Sequence, residues 1–170
     1  ADAGLDDRVA DWVLDAACIQ ARQWGADAGA NDAATVWVNL SPHQLLRPDF
    51  LNQIATALAT AGLSAHDLGF ELSESAFIDV DRTPEAVRNL TALTDLGCRL
   101  AIDGYGSGYS SLGSLRRYSI DTLKLDASLI GGPDGAEIVA AVISLAGVFD
   151  IAVTAKGVET SEQLERLERA

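Results

Sequence analysis

Five residues at or just past short apolar runs are polar or charged: Asn39, Glu71, Asp103, Lys124 and Lys156. Asn39 and Glu71 stand 32 residues apart, as do Glu71 and Asp103, and Lys124 and Lys156. That interval is one strand, one loop and one helix, and in a βα barrel the C-terminal strand ends meet on a single rim. Polar residues also close buried strands simply because the chain is leaving the core. A constant period, with the choice of Glu, Asp and Lys, argues for a shared site instead. Spacing defines the place and leaves the reaction open. A metal ion, or one placed ammonium, would let such a place accept a small anion.

The elements that must position these residues alternate between helical and strand signals, which predicts parallel strands with crossover helices. Leu5, Val9, Trp12, Val13, Ala16 and Ile19 share one helical face, and that helix is expected to end near Gly25. After a loose stretch from Gly29 to Ala33, strands are expected at Thr35–Leu40, Leu68–Leu72, Cys98–Asp103, Thr122–Asp126 and Ile151–Ala155. Between them, Pro48 is expected to start a helix carrying Phe50, Leu51, Ile54 and Leu58 that Gly62 stops. Thr83, Pro84 and Glu85 open another helix, which buries Val87, Leu90 and Leu93 and ends at Gly97. A glycine-rich loop, Gly104 to Gly108, leads into a short helical stretch around Leu112 and Leu115. Ile138 to Ala146 is helical, and Thr160 with Gln163 forms a capping box for a last helix carrying Leu164 and Leu167.

Composition limits the partners. The 170 residues are 48% hydrophobic, enough for one globular domain over residues 1–170. Twelve basic against twenty-five acidic residues give a net charge of −13, which repels polyphosphate backbones and anionic membrane surfaces. Nucleic acid and membrane contact are therefore excluded as expectations. Cys18 and Cys98 lie in apolar surroundings without a C-x-x-C spacing, which predicts two buried thiols in a reducing, cytoplasmic setting. No stretch approaches the length of a membrane span. Gly104-Tyr105-Gly106-Ser107-Gly108 lacks the Gly-Lys-Ser/Thr of a nucleotide-triphosphate loop and does not fit the dinucleotide fingerprint. His43 and His66, 23 residues apart, make neither a zinc nor a serine triad. Trp12, Trp24 and Trp37 are expected in the core or between helices, since no basic residues interleave with them.

With these residues in view, the sequence resembles the EAL family, in which cyclic di-GMP is hydrolysed on a (β/α)8 barrel with two Mg²⁺ or Mn²⁺ ions. The resemblance is carried by Val38-Asn39-Leu40-Ser41, Glu71-Leu72-Ser73-Glu74-Ser75 and the loop from Asp103 to Leu112. Asp121-Thr122-Leu123-Lys124-Leu125-Asp126 and Lys156-Gly157-Val158-Glu159-Thr160 complete it. It implies an α/β fold, an incomplete TIM-type (β/α) barrel. It implies that Asn39, Glu71 and Asp103 fall where active members hold the first metal, with oxygen donors suited to a hard cation. Lys124 falls where a family lysine faces the attacking water and phosphate. Asp126 and Glu159 fall at ligand-binding positions, and Glu74 and Ser107 at supporting ones, Glu74 as an anchor for the loop after Asp103.

The departures from the family pattern decide the expected activity. The strand bearing the Glu-Ala-Leu signature and the closing Gln-Gly segment are missing from the resemblance. Where the family has two adjacent aspartates, this chain has Asp103 followed by Gly104. Where it has Ala-Glu-Gly-Val-Glu, this chain has Ala155-Lys156-Gly157-Val158-Glu159. Exchanging two metal-holding acids for Gly and Lys changes the formal charge by about +3 and should expel the second ion. Two-metal hydrolysis needs both ions. The resemblance therefore implies a catalytically inactive or very weak signalling module that binds cyclic di-GMP, a protein partner or a second copy of itself. No cofactor is expected, with Mg or Mn confined to any residual first site. The alternative is an active, metal-dependent phosphodiesterase completed by residues outside this chain. Two carboxylates left without a metal repel, so Lys156 is further expected to pair with Asp103 or Glu71.

Overall fold

Strands and helices alternate along the chain as the apolar pattern requires. The computed structural model describes residues 3–28, 35–106, 115, 117–131 and 134–168, and of residues 3–6 and 26–28 the backbone alone. It divides into two units, Ala1–Glu71 with Val80–Arg99, and Leu72–Asp79 with Leu100–Ala170. The expected loose stretch from Gly29 to Ala33, and Ser107, Gly108 and Leu112, lie outside the described residues.

In the first unit, helix α1 (Ala3–Ala28) packs on strand β1 (Val36–Asn39) and on helix α3 (Phe50–Ala61). Strand β2 (Leu68–Ser73) runs parallel to β1, pairing Trp37 with Gly69, Val38 with Phe70 and Asn39 with Glu71. Val38 and Phe70 are buried and fix which face looks inward. On the other face the Trp37 ring lies against the Gly69 backbone: a Cβ on Gly69 would stand 2.4 Å from Trp37 Cε3. Because side chains alternate, the same face carries Asn39 and Glu71 two residues on. The indole over glycine thus holds the register that brings these two polar residues side by side.

The packed face of α1 is not the one the sequence pattern selects. Val9, Trp12, Val13 and Ile19 are exposed, Trp12 by 69%, whereas Leu14, Cys18 and Ala21 are buried. Apolar residues lie on more than one side of this helix, so periodicity alone does not choose the buried one. Trp24 is half exposed as well, which corrects the expected packing role of Trp12 and Trp24. The helix also continues past Gly25 to Ala28. Helix α2 (Pro42–Leu45) is an element the apolar pattern misses; Ser41 and Gln44 close a capping box on it. Helix α3 begins at Phe50, not Pro48, and ends as expected at left-handed Gly62. Arg47 ties α1 to this region through Asp11 at 2.8 Å and Asp49 at 3.3 Å. Its guanidinium is pushed above its ordinary range, chiefly by the hydrogen bond to Asp11.

Helix α4 (Glu74–Asp81) follows β2 directly and is also unanticipated, whereas α5 (Pro84–Asp95) starts after Thr83 as expected. In the second unit, β3 (Arg99–Tyr105), β4 (Thr122–Leu125) and β5 (Ala152–Ala155) are successive parallel neighbours. Leu100, Ala101, Ile102, Leu123 and Leu125 are fully buried, as strands covered on both faces demand. Helices α6 (Ala127–Gly131), α7 (Gly135–Val148) and α8 (Ser161–Leu167) pack on one another, and α7 also on β5. The box of Thr160 and Gln163 caps α8 as the sequence predicts. Strand β3 runs two residues past Asp103 because Gly104 forms a β-bulge: the pairing moves from Asp103–Lys124 to Tyr105–Leu125, and Gly104 sits at φ +67°.

Gly69→Ala is expected to cost about 1–3 kcal/mol, since a methyl there collides with the indole; urea unfolding followed by tryptophan fluorescence measures it. Burial pushes the Cys98 thiol up to about 12, with Cys18 contributing, and burial raises Cys18 too. Both thiols are therefore expected to resist iodoacetamide at pH 8 in the folded protein and to react once urea unfolds it.

Candidate ligand site on the strand ends

In the second unit the rim is built around Asp103. The three residues before it are fully buried, and Asp103 is where the side chains of β3 next reach partly free, at 24% exposure. Its register partner on β4 is Lys124, whose partner on β5 is Thr154, and Lys156 lies two residues beyond Thr154. These four residues share one face. Asp103 and Lys156 are two strands apart, roughly 10 Å between backbones, a gap that an aspartate and a lysine can close. They do close it: Lys156 Nζ donates to Asp103 Oδ1 at 2.7 Å and to Oδ2 at 2.9 Å.

The backbone around Lys156 fixes where that ammonium starts. Its N–H donates to Leu125 O at 3.3 Å, extending the ladder one residue past β5. Gly157 then turns the chain at φ +72°, and a Cβ there would stand 2.8 Å from Ala127 Cβ. The lysine side chain is 49% exposed. A partly exposed ion pair is worth only about 0–1 kcal/mol to stability. Its effect is on local charge: the carboxylate at the centre of the rim is already neutralised by the protein itself.

The supporting positions are held locally. Glu74, at 3% exposure, is buried, and its Oε2 accepts from Gly106 N at 3.1 Å, fastening the backbone just past the Gly104 bulge. Burial and the Glu74 charge push the Tyr105 phenol up. Gly106 itself has φ +98° and faces Leu129, whose Cδ1 would lie 2.2 Å from an added Cβ. Asp126 Oδ1 accepts from Ser128 N at 2.9 Å, as a side-chain cap does at the start of α6. Glu159 is exposed, and its N–H donates to Gln163 Oε1 at 2.7 Å, beside the α8 capping box. Ser107 lies outside the described residues. In the first unit, Asn39 and Glu71 are register partners at the ends of their strands, and Leu40 N donates to Glu71 O at 2.8 Å. Sequence reasoning passed over Ser128; its signal is the Asp-x-Ser spacing of a helix cap.

Hydrogen bonds from the Ser128 hydroxyl and then its amide hold the Asp126 carboxyl below its ordinary value of 3.8, opposed by slight desolvation and helped by Lys156. A depressed pKa means the fold favours the charged form. The stability it lends is present above the ordinary aspartate range and is lost as pH falls through the lowered value. In an NMR titration Ser128→Ala is expected to move Asp126 up toward 3.8, and Lys156→Gln by less. No change with Ser128→Ala would refute the leading role of the Ser128 hydroxyl, the amide cap being left intact by that substitution.

The family model described as EAL domain matches residues 1–170. Over 166 residues the chain is 37% identical to the cyclic di-GMP phosphodiesterase NbdA of Pseudomonas aeruginosa, covering 95% of this chain and 21% of NbdA. Among solved structures it superposes on the PaMucR phosphodiesterase in complex with c-di-GMP with a TM-score of 0.85 and 34% identity, covering 98% of this chain and 68% of that one. On BlrP1 of Klebsiella pneumoniae, solved with manganese and cyclic di-GMP, the TM-score is 0.82 at 30% identity, covering 95% of this chain and 40% of that one. The chain spans about a fifth of the length of several of the curated relatives it matches and about half of others. Its α/β fold is part of the TIM-type barrel of those structures. The chain belongs to the EAL domain family.

Proposed function

We propose that this chain is a non-hydrolytic module of bacterial cyclic di-GMP signalling, which binds the cyclic dinucleotide or a protein partner and does not cut it. The observation that carries this reading is the ammonium of Lys156 on both oxygens of Asp103. The family implies divalent ions at this rim, and the residues present do not fit one at Asp103. Its oxygens already face a cation, and the neighbouring Gly104 offers no side-chain donor. Among the described residues no group of three or more His, Cys, Asp or Glu side chains could hold a metal ion. A dication about 4 Å from an ammonium is repelled by about 2 kcal/mol even at the dielectric constant of water, and by about 8 kcal/mol at an effective value near 20.

An intact phosphodiesterase completed by residues beyond this chain is the competing reading, favoured by the likeness to NbdA and the PaMucR phosphodiesterase. The two readings differ in what happens to ligand. Calorimetric titration of the protein with cyclic di-GMP, with and without Mg²⁺, is expected to give the same affinity in both and no linear pGpG by chromatography. Absence of binding in both would narrow the proposal to its protein-partner arm. Accumulation of pGpG on adding Mg²⁺ would overturn it.

A further inference from the structure

Lys156 departs furthest from what a metal-holding rim needs, and its surroundings are built around it. Its ammonium donates to both oxygens of one carboxylate, at 2.7 and 2.9 Å. Its backbone is tied to Leu125 O, and Gly157 turns the chain at φ +72° hard against Ala127. The side chain therefore starts from a fixed point. Swinging it aside breaks a weak pair and still leaves the positive charge within a side-chain length of Asp103.

We infer that Lys156 is a tethered counter-cation that takes the place of a divalent ion at Asp103 and excludes such ions from it. The rim then meets anionic ligands with a resident charge, and its occupancy follows monovalent salt and not the supply of Mg²⁺ or Mn²⁺. This deepens the non-hydrolytic reading and rests on it. Lys124, register partner of Asp103 on the intervening strand, adds a second ammonium to the same face and strengthens the exclusion.

The test is Mn²⁺ binding to the whole chain, followed by the electron paramagnetic resonance of free Mn²⁺. Wild type is compared with Lys156→Glu, Lys156→Gln, and Lys156→Glu combined with Asp103→Asn. The strongly acidic chain gives all four a background of loose binding, so the ratio of affinities is the quantity read. Lys156→Glu is expected to bind Mn²⁺ at least about tenfold more tightly than wild type, with Lys156→Gln between them. Adding Asp103→Asn is expected to return the affinity to the wild-type value. Equal affinity in wild type and both single variants would overturn the inference, as would a gain that survives Asp103→Asn. If Lys156→Glu does not fold, the Lys156→Gln ratio decides alone, with unity the refuting value. The two readings fail separately: pGpG formation by wild type sinks the functional one whatever the Mn²⁺ ratio. A ratio of unity sinks this one whether or not pGpG appears.

Discussion

A carboxylate at the end of a fully buried strand needs a counter-charge, and around Asp103 the second unit is arranged to supply one. The apolar run Leu100 to Ile102 commits β3 to the interior and leaves Asp103 at its edge. Gly104 then bulges, Tyr105 pairs with Leu125 in the shifted register, and the buried Glu74 catches the backbone at Gly106. From the other side, β5 ends at Ala155 and Gly157 turns the chain against α6, which sets the origin of the Lys156 side chain. Glycines at positive φ thus flank both partners. Each permits a turn that a β-carbon would obstruct, and together they let a lysine and an aspartate meet across an intervening strand.

In the first unit the same problem of alignment is solved by packing. A glycine within a strand ordinarily weakens it, yet Gly69 gives the Trp37 ring a surface to lie on. A slip of one residue would lift the indole off the glycine and turn Val38 and Phe70 away from the core. Asn39 and Glu71 are therefore held side by side by groups that take no part in any chemistry themselves.

Much of this was legible from residue order. All five strands are where short β-branched runs predict them, and the register Asp103–Lys124–Thr154 puts Asp103 and Lys156 on one face as the alternation of side chains requires. The Lys156 pairing follows from charge alone, although only the structure selects Asp103 as its partner. What the sequence hides is of two kinds. Helix α1 is apolar on several sides, so its pattern favours Val9, Trp12 and Ile19, while packing buries Leu14, Cys18 and Ala21. Short helices such as α2 and α6 hold too few residues for a period to show, and their signals lie in caps: Ser41 with Gln44, and Asp126 with Ser128.

The outward face of α1 governs how the isolated chain behaves as a colloid. Val9, Trp12 and Ile19 form a sticky apolar stripe on a molecule whose self-repulsion comes from thirteen excess negative charges. At low ionic strength that repulsion reaches tens of ångströms and keeps copies apart; at molar salt it shrinks to about 3 Å and the tryptophan-bearing surfaces can touch. Salting out and acidification toward the isoelectric point near 4.3 thus weaken the same repulsion, one by screening it and the other by neutralising its source.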